Sequence, residues 1–300
     1  MNKFTEYFKK LFSPEPTRDV ALVLGGGGAR GYAHIGAIEV LEEHGYNITS
    51  ISGTSMGALV GGVYAAGKLP EFKEKILDMK RKHIVSLMNI SIGLDHIATG
   101  QRLMSLINTL TGGLQIEDLR IPFCCCATDI VTGKEKVFCN GPLSMAIRAS
   151  ISIPGVLSPV HEEGHIYVDG SIHNTLPLDR VSRNGHDLLV AINASAPDTM
   201  PLSTYSAIKK KENEKSPYRI FRKFPDIKSQ LSENYMSLAV RTTNIAIQNN
   251  TQMAIRLTPP DLCVDVPMDK FDLFDFDKGR VIVEYGRKAM EQKLRESRMA

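Results

Sequence analysis

The chain has 300 residues, 43% hydrophobic and 23% charged, enough to fill the core of one large domain or two small ones. A net charge of +3 is too mild to point to nucleic acid as a partner, although local basic clusters could matter at an anionic surface. No apolar run approaches the roughly 18–20 residues of a membrane-spanning helix, and the N-terminus lacks the apolar core and cleavage site of a leader peptide, so the expected location is cytoplasmic.

Residues 1–19 set Phe4, Tyr7, Phe8, Leu11 and Phe12 at helical spacing among Lys3, Lys9 and Lys10, before a stop at Pro14 and Pro16. This predicts a short amphipathic helix outside the main fold. Its aromatic face either packs on the domain or lies at a membrane interface.

From Val20 the pattern is strand, glycine loop, helix, strand. "VALVL" is apolar and β-rich, Tyr32–His44 has helical spacing with Gly45 as its stop, and "ITSIS" runs into Gly53. Helical stretches follow at 56–66, 70–88, 100–110 and 142–149, with strands at "FCCCATD", "KEKVF", "HIYVD" and "DLLVAIN". Strands interleaved with helices imply a largely parallel sheet covered on both faces. Cys124, Cys125 and Cys126 are consecutive while Cys139 and Cys263 stand alone, so no spacing reads as a zinc site or redox pair. In a strand they read as small buried hydrophobes.

Residues 196–230 break the rhythm with Pro, Ser and Lys, and predict a mobile insertion: a solvated loop, or a flap carrying Tyr218, Phe221 and Phe224 toward a membrane. Beyond it, Asn234–Gln248 reads as helical, and Val281–Arg298 as a charged closing helix whose end occupies 291–300. The main domain is therefore expected over 20–290.

Two glycine motifs carry the chemistry. Gly26 to Gly31 satisfies the G-x-G-x-x-G pattern of a dinucleotide-binding turn, but the acid expected about 20 residues on is missing. The second strand ends instead in Gly53-Thr54-Ser55-Met56-Gly57, a G-x-S-x-G elbow between strand and helix. Gly53 and Gly57 permit the sharp turn that lifts a serine hydroxyl clear of the backbone, which makes Ser55 the candidate nucleophile. If both loops lie at the ends of neighbouring parallel strands, the N–H groups of Gly26, Gly27 and Gly28 converge on an oxyanion formed beside Ser55. Arg30 then adds positive charge nearby or fixes the loop through a salt bridge.

Such a serine needs a base, and none of the eight histidines stands out as one. The elbow also comes too early in the chain for an α/β-hydrolase, and no histidine follows His186.

Four blocks in order resolve this. "GGGGARGYAHIG" at 25–36, "GTSMG" at 53–57, "RASISIPGVLSPV" at 148–160 and "DGSIHNTLP" at 169–177 resemble the patatin-like phospholipases, specifically their bacterial members, and "ATD" at 127–129 agrees. The resemblance covers residues 20 to about 290. It implies an α/β class fold, a three-layer α/β/α sandwich with a mostly parallel central sheet, and a Ser-Asp dyad of Ser55 and Asp169 that hydrolyses lipid acyl esters. It assigns the oxyanion hole to Gly26, Gly27 and Gly28, with Gly31 completing the motif and Gly170 following the aspartate. One departure is Ser171, where the family usually has glycine or alanine. Read alone, "VDGSIHN" is an ordinary strand-ending turn. Pro154, Gly155 and Pro159 are expected to shape the site wall, with Asp129 and Asn174 satisfying backbone at loop entries.

The resulting expectation is a single-domain serine acyl hydrolase that needs no metal or cofactor, meets phospholipid or another fatty acyl ester at a transient membrane contact, and binds no nucleic acid. The alternative is a silent scaffold whose glycine loop cradles an anion or headgroup.

Overall fold

The computed structural model describes residues 17–78, 101–200 and 235–297. Most of the predicted N-terminal helix, the second half of the 70–88 helix, the body of the 196–230 insertion and the last three residues lie outside them.

The core is an eight-stranded sheet. Its strands are β1 (Asp19–Leu24), β2 (Asn47–Thr54), β3 (Phe123–Asp129), β4 (Lys134–Phe138), β5 (Val160–Glu162), β6 (His165–Asp169), β7 (Leu188–Ala196) and β8 (Leu262–Pro267). They lie in the order β5-β6-β3-β2-β1-β7-β8, with β4 paired to β3. The run from β3 to β8 is parallel, as expected. The other edge departs from that pattern, since β4 and β6 both run antiparallel to β3 and β5 runs antiparallel to β6.

Among the described residues seven α-helices accompany it: α1 (Ala33–Glu43), α2 (Met56–Ala65), α3 (Leu69–Leu77), α4 (Gln101–Thr111), α5 (Leu143–Ser150), α6 (Tyr235–Leu257) and α7 (Gly279–Glu296). Alternation along β1 sorts them into layers. Val20, Leu22 and Leu24 point into a large core shared with α1, α2 and α7, whereas Ala21 and Val23 meet Leu176, Leu178 and Val181 with Ala254 and Ile255 of α6. The result is a three-layer α/β/α sandwich with one heavily helical face and one covered by α6 and the chain after β6.

Cys124, Cys125 and Cys126 are buried in β3, the setting expected for small apolar side chains. Gly45 ends α1 in a left-handed conformation, φ 74°, with its N–H on Glu42 O.

Candidate active site

Both glycine motifs sit where parallel strands end. Gly25 leaves β1 and Ser55 leaves β2, and the two strands pair from Asp19↔Asn47 to Leu24↔Gly53. Ligand sites of parallel sheets form at such carboxyl ends. The registers then account for Asp169. Thr54 pairs with Cys126 of β3, and the next β3 residue, Ala127, pairs with Asp169 of β6. Ser55 and Asp169 therefore stand level on either side of β3. Ser55 Oγ donates to Asp169 Oδ2 at 2.5 Å, across 114 residues of sequence.

Ser55 adopts φ 55°, ψ −122°, at the foot of α2. A left-handed backbone on a non-glycine residue is strained and persists only when the surroundings hold it. Gly57 leaves room for the turn, because a Cβ there would strike the backbone carbonyl of Leu24. Met56, which follows the serine, packs where any side chain on Gly31 would go.

Asp169 is 4% exposed, and burial raises its carboxyl above the ordinary aspartate range. Hydrogen bonds from Ser55 and from the main chain and side chain of Ser171 pull the other way by favouring the ionised form. The Ser171 N–H reaches Asp169 Oδ1 at 2.8 Å, so the Asp-Gly-Ser sequence closes a tight 3-10 turn over Gly170–Ile172 and keeps the aspartate in place. Gly170 is required there, since a Cβ would run into Cys126 O.

The glycine loop is pinned from several sides. Gly25 N–H bonds Ile192 O at 2.9 Å, and Gly25 O accepts from His34 Nε2 at 2.8 Å. Gly26 O accepts from the Ser195 hydroxyl at 2.7 Å. The Gly26 N–H, expected to face an oxyanion, is committed to Thr175 O at 2.9 Å. Gly26 serves differently: a Cβ on it would collide with Ser171 Oγ and press on Ser55 Cβ at 3.3 Å. Among the described residues, the N–H groups of Gly27 and Gly28 have no protein acceptor, and Gly28 needs its glycine for a φ of 57°. Arg30 is buried and donates to the carbonyls of Ala194 at 2.7 Å and Phe271 at 3.1 Å, so it fixes the loop through backbone bonds.

Asp129 meets backbone as expected, whereas the Asn174 side chain, expected to do the same, meets carboxylates instead. Asp129 accepts from Val131 N, Thr132 Oγ1 and His165 Nδ1, which hold its carboxyl well below the usual range. Asn174 Nδ2 donates to Glu135 and Asp179, each at 3.0 Å. Sequence reasoning missed the use of the β2 hydroxyls. Ser50, Ser52 and Thr54 donate to the carbonyls of Ser182, Pro177 and Asn174 and tie the chain after Asp169 to the strand that carries Ser55. Their spacing at every second residue was the available signal.

Among the described residues, no helix is long and apolar enough to cross a membrane, and no group of three or more His, Cys, Asp and Glu residues is placed to hold a metal.

Comparison with known proteins agrees with the blocks. The chain is 43% identical over 182 residues to an uncharacterized NTE family protein of Mycobacterium bovis, covering 61% of this chain and 51% of that one. It is 30% identical over 281 residues to lysophospholipase NTE1 of Saccharomyces cerevisiae, covering 89% of this chain and 16% of that one. It is 32% identical over 223 residues to patatin-like phospholipase domain-containing protein 6 of Mus musculus, covering 68% and 16%. The chain thus spans about half the length of the first relatives it matches, and far less of the larger ones. The family model for patatin-like phospholipase matches residues 22–181, from β1 through both glycine motifs to the turn beyond Asp169. By that match, over more than half of its length, the chain belongs to the patatin-like phospholipase family.

Proposed function

We propose that the protein is a serine acyl hydrolase that releases fatty acids from lipid esters, with Ser55 as nucleophile and Asp169 as its base. The observation that carries this reading is the 2.5 Å hydrogen bond from a strained, elbow-borne serine to a buried aspartate. The family and the relatives named as lysophospholipases support lipid as the substrate class.

A carboxylate is a weak base toward an alcohol. Burial strengthens it by making its charge poorly solvated, and a strongly held oxyanion supplies the rest of the driving force. Asp169 accepts the Ser55 proton as Oγ attacks the ester carbonyl, and the resulting oxyanion faces the Gly27 and Gly28 N–H groups. Collapse breaks the ester bond; Asp169 returns the proton to the departing alcohol and Ser55 keeps the acyl group. Water then gives a proton to Asp169 and attacks the acyl-enzyme; as the bond to Ser55 Oγ breaks, Asp169 passes that proton to Oγ and the fatty acid leaves.

Hydrolysis of lysophosphatidylcholine and of a short-chain nitrophenyl ester tests this. Wild type is expected to turn over both, Ser55→Ala neither, and Asp169→Asn to be slower by about 10²–10⁴-fold, the usual share of a general base. Wild-type binding to lipid vesicles without turnover of either ester would instead favour the scaffold reading.

A further inference from the structure

Ser55 sits in a conformation that its own sequence does not favour, and its N–H lies in a site only 4% exposed. The acceptor it finds is not a carbonyl of its own strand or helix. It is Ser150 Oγ, at 2.8 Å, on the last residue of α5. Ser150 is fully buried, and its proton goes to Cys126 O at 2.6 Å. A hydroxyl has one proton to give, so that bond fixes its rotation and turns a lone pair toward Ser55. Cys126 is the β3 residue paired with Thr54, immediately before the nucleophile.

The same turn of chain also reaches the base. Ser152 O accepts the Asp169 N–H at 2.9 Å, and Arg148 Nη1 donates to Ser152 Oγ at 2.6 Å while Nη2 binds Ser158 O at 2.9 Å. Residues 148–152 thus hold the backbone of both members of the dyad, one through a side chain and one through a carbonyl.

We infer that Ser150 is a positioning residue for the hydrolysis proposed above, its hydroxyl holding the Ser55 backbone at the angle that brings Oγ onto Asp169. The inference rests on that proposal for the reaction and adds the part that aims it. Removing the hydroxyl leaves the Ser55 N–H buried without an acceptor and lets the elbow relax. Displacements near 1 Å in such an alignment cost about 10²-fold in rate. Binding of the acyl chain does not pass through this contact, so the loss belongs in kcat.

The test compares wild type with Ser150→Ala, Ser150→Cys and Ser150→Thr, measuring kcat and KM on the nitrophenyl ester, the rate of fluorophosphonate labelling and thermal melting. Cysteine keeps nearly the volume of serine and replaces a strong acceptor with a weak one, so it reports on the hydrogen bond even where alanine weakens the fold. The expected result is a 10- to 100-fold fall in kcat for Ala and Cys at nearly constant KM, a parallel fall in labelling rate, and recovery toward wild type in Thr. Ala and Cys variants that keep kcat and labelling within about twofold of wild type would overturn the role of Ser150 and leave the hydrolase reading standing. A wild-type protein that neither labels nor hydrolyses would overturn both.

Discussion

At the scale of single residues, the proposed chemistry turns on where protons sit. In the proposed reaction Asp169 acts as the carboxylate, and burial raises its pKa while Ser55 and Ser171 restrain the rise. Below that pKa the base is protonated, so kcat/KM on a nitrophenyl ester is expected to fall with acid along a limb lying above the ordinary aspartate value of about 4. Ser171→Ala removes a bond that favours the ionised form while leaving the Ser171 N–H, so its acid limb is expected at higher pH. An unchanged limb would show that the hydroxyl does not act on the base. Asp169→Asn exchanges a buried charge for a neutral amide and is expected to melt at or above the wild-type temperature while losing activity. His34 shows the linkage in the other direction. It is fully buried, and its pKa is pushed down to about 4 by burial, against the bond to Gly25 O. Between pH 6.5 and 4 the unfolded chain binds a proton that the folded chain refuses. Stability is therefore expected to fall as pH is lowered through that window, by about 3 kcal/mol, and His34→Gln to flatten this part of the urea-midpoint profile.

At the scale of elements, two glycines let α1 and α7 pack closely. A Cβ on Gly36 of α1 would strike Val283 O of α7, and one on Gly286 of α7 would strike Ala33 O of α1. Either Gly36→Ala or Gly286→Ala is expected to cost about 1–3 kcal/mol in urea unfolding, by forcing the helices apart. Neutral behaviour of both would mean that the helices are not packed this closely. Most elements were legible because their patterns are local. "FCCCATD", "KEKVF" and "HIYVD" became strands over the same residues, since β-rich runs bounded by turns leave little choice. "LCVDVP" was missed because it follows two prolines and ends in a third, which reads as loop, although it pairs alongside β7. The helix expected over Asn234–Gln248 runs on to Leu257, up to the stop at Pro259 and Pro260. The antiparallel edge could not be read, because strand direction is decided by partners distant in sequence.

At the scale of the whole molecule, the site joins residues of unequal legibility. Ser55 could be named from its pentapeptide, because the elbow's demands are met within five residues. Asp169 could be named only by family resemblance. Nothing local ties it to Ser55, and two strand registers through β3 are what bring them level. The role of the Gly26 N–H was hidden for the same reason, its acceptor lying at Thr175. The hydroxyls of β2, the carbonyl of Thr175 and the side chain of Ser150 together make the proposed dyad a property of the assembled sheet.

The most direct measurement is the intact mass of the protein after reaction with a fluorophosphonate, followed by mapping of the modified peptide in wild type, Ser55→Ala and Asp169→Asn. One adduct per chain on Ser55, absent from Ser55→Ala and formed far more slowly in folded Asp169→Asn, is the expected result. An adduct on another residue, or ester hydrolysis that persists in Ser55→Ala, would contradict the dyad.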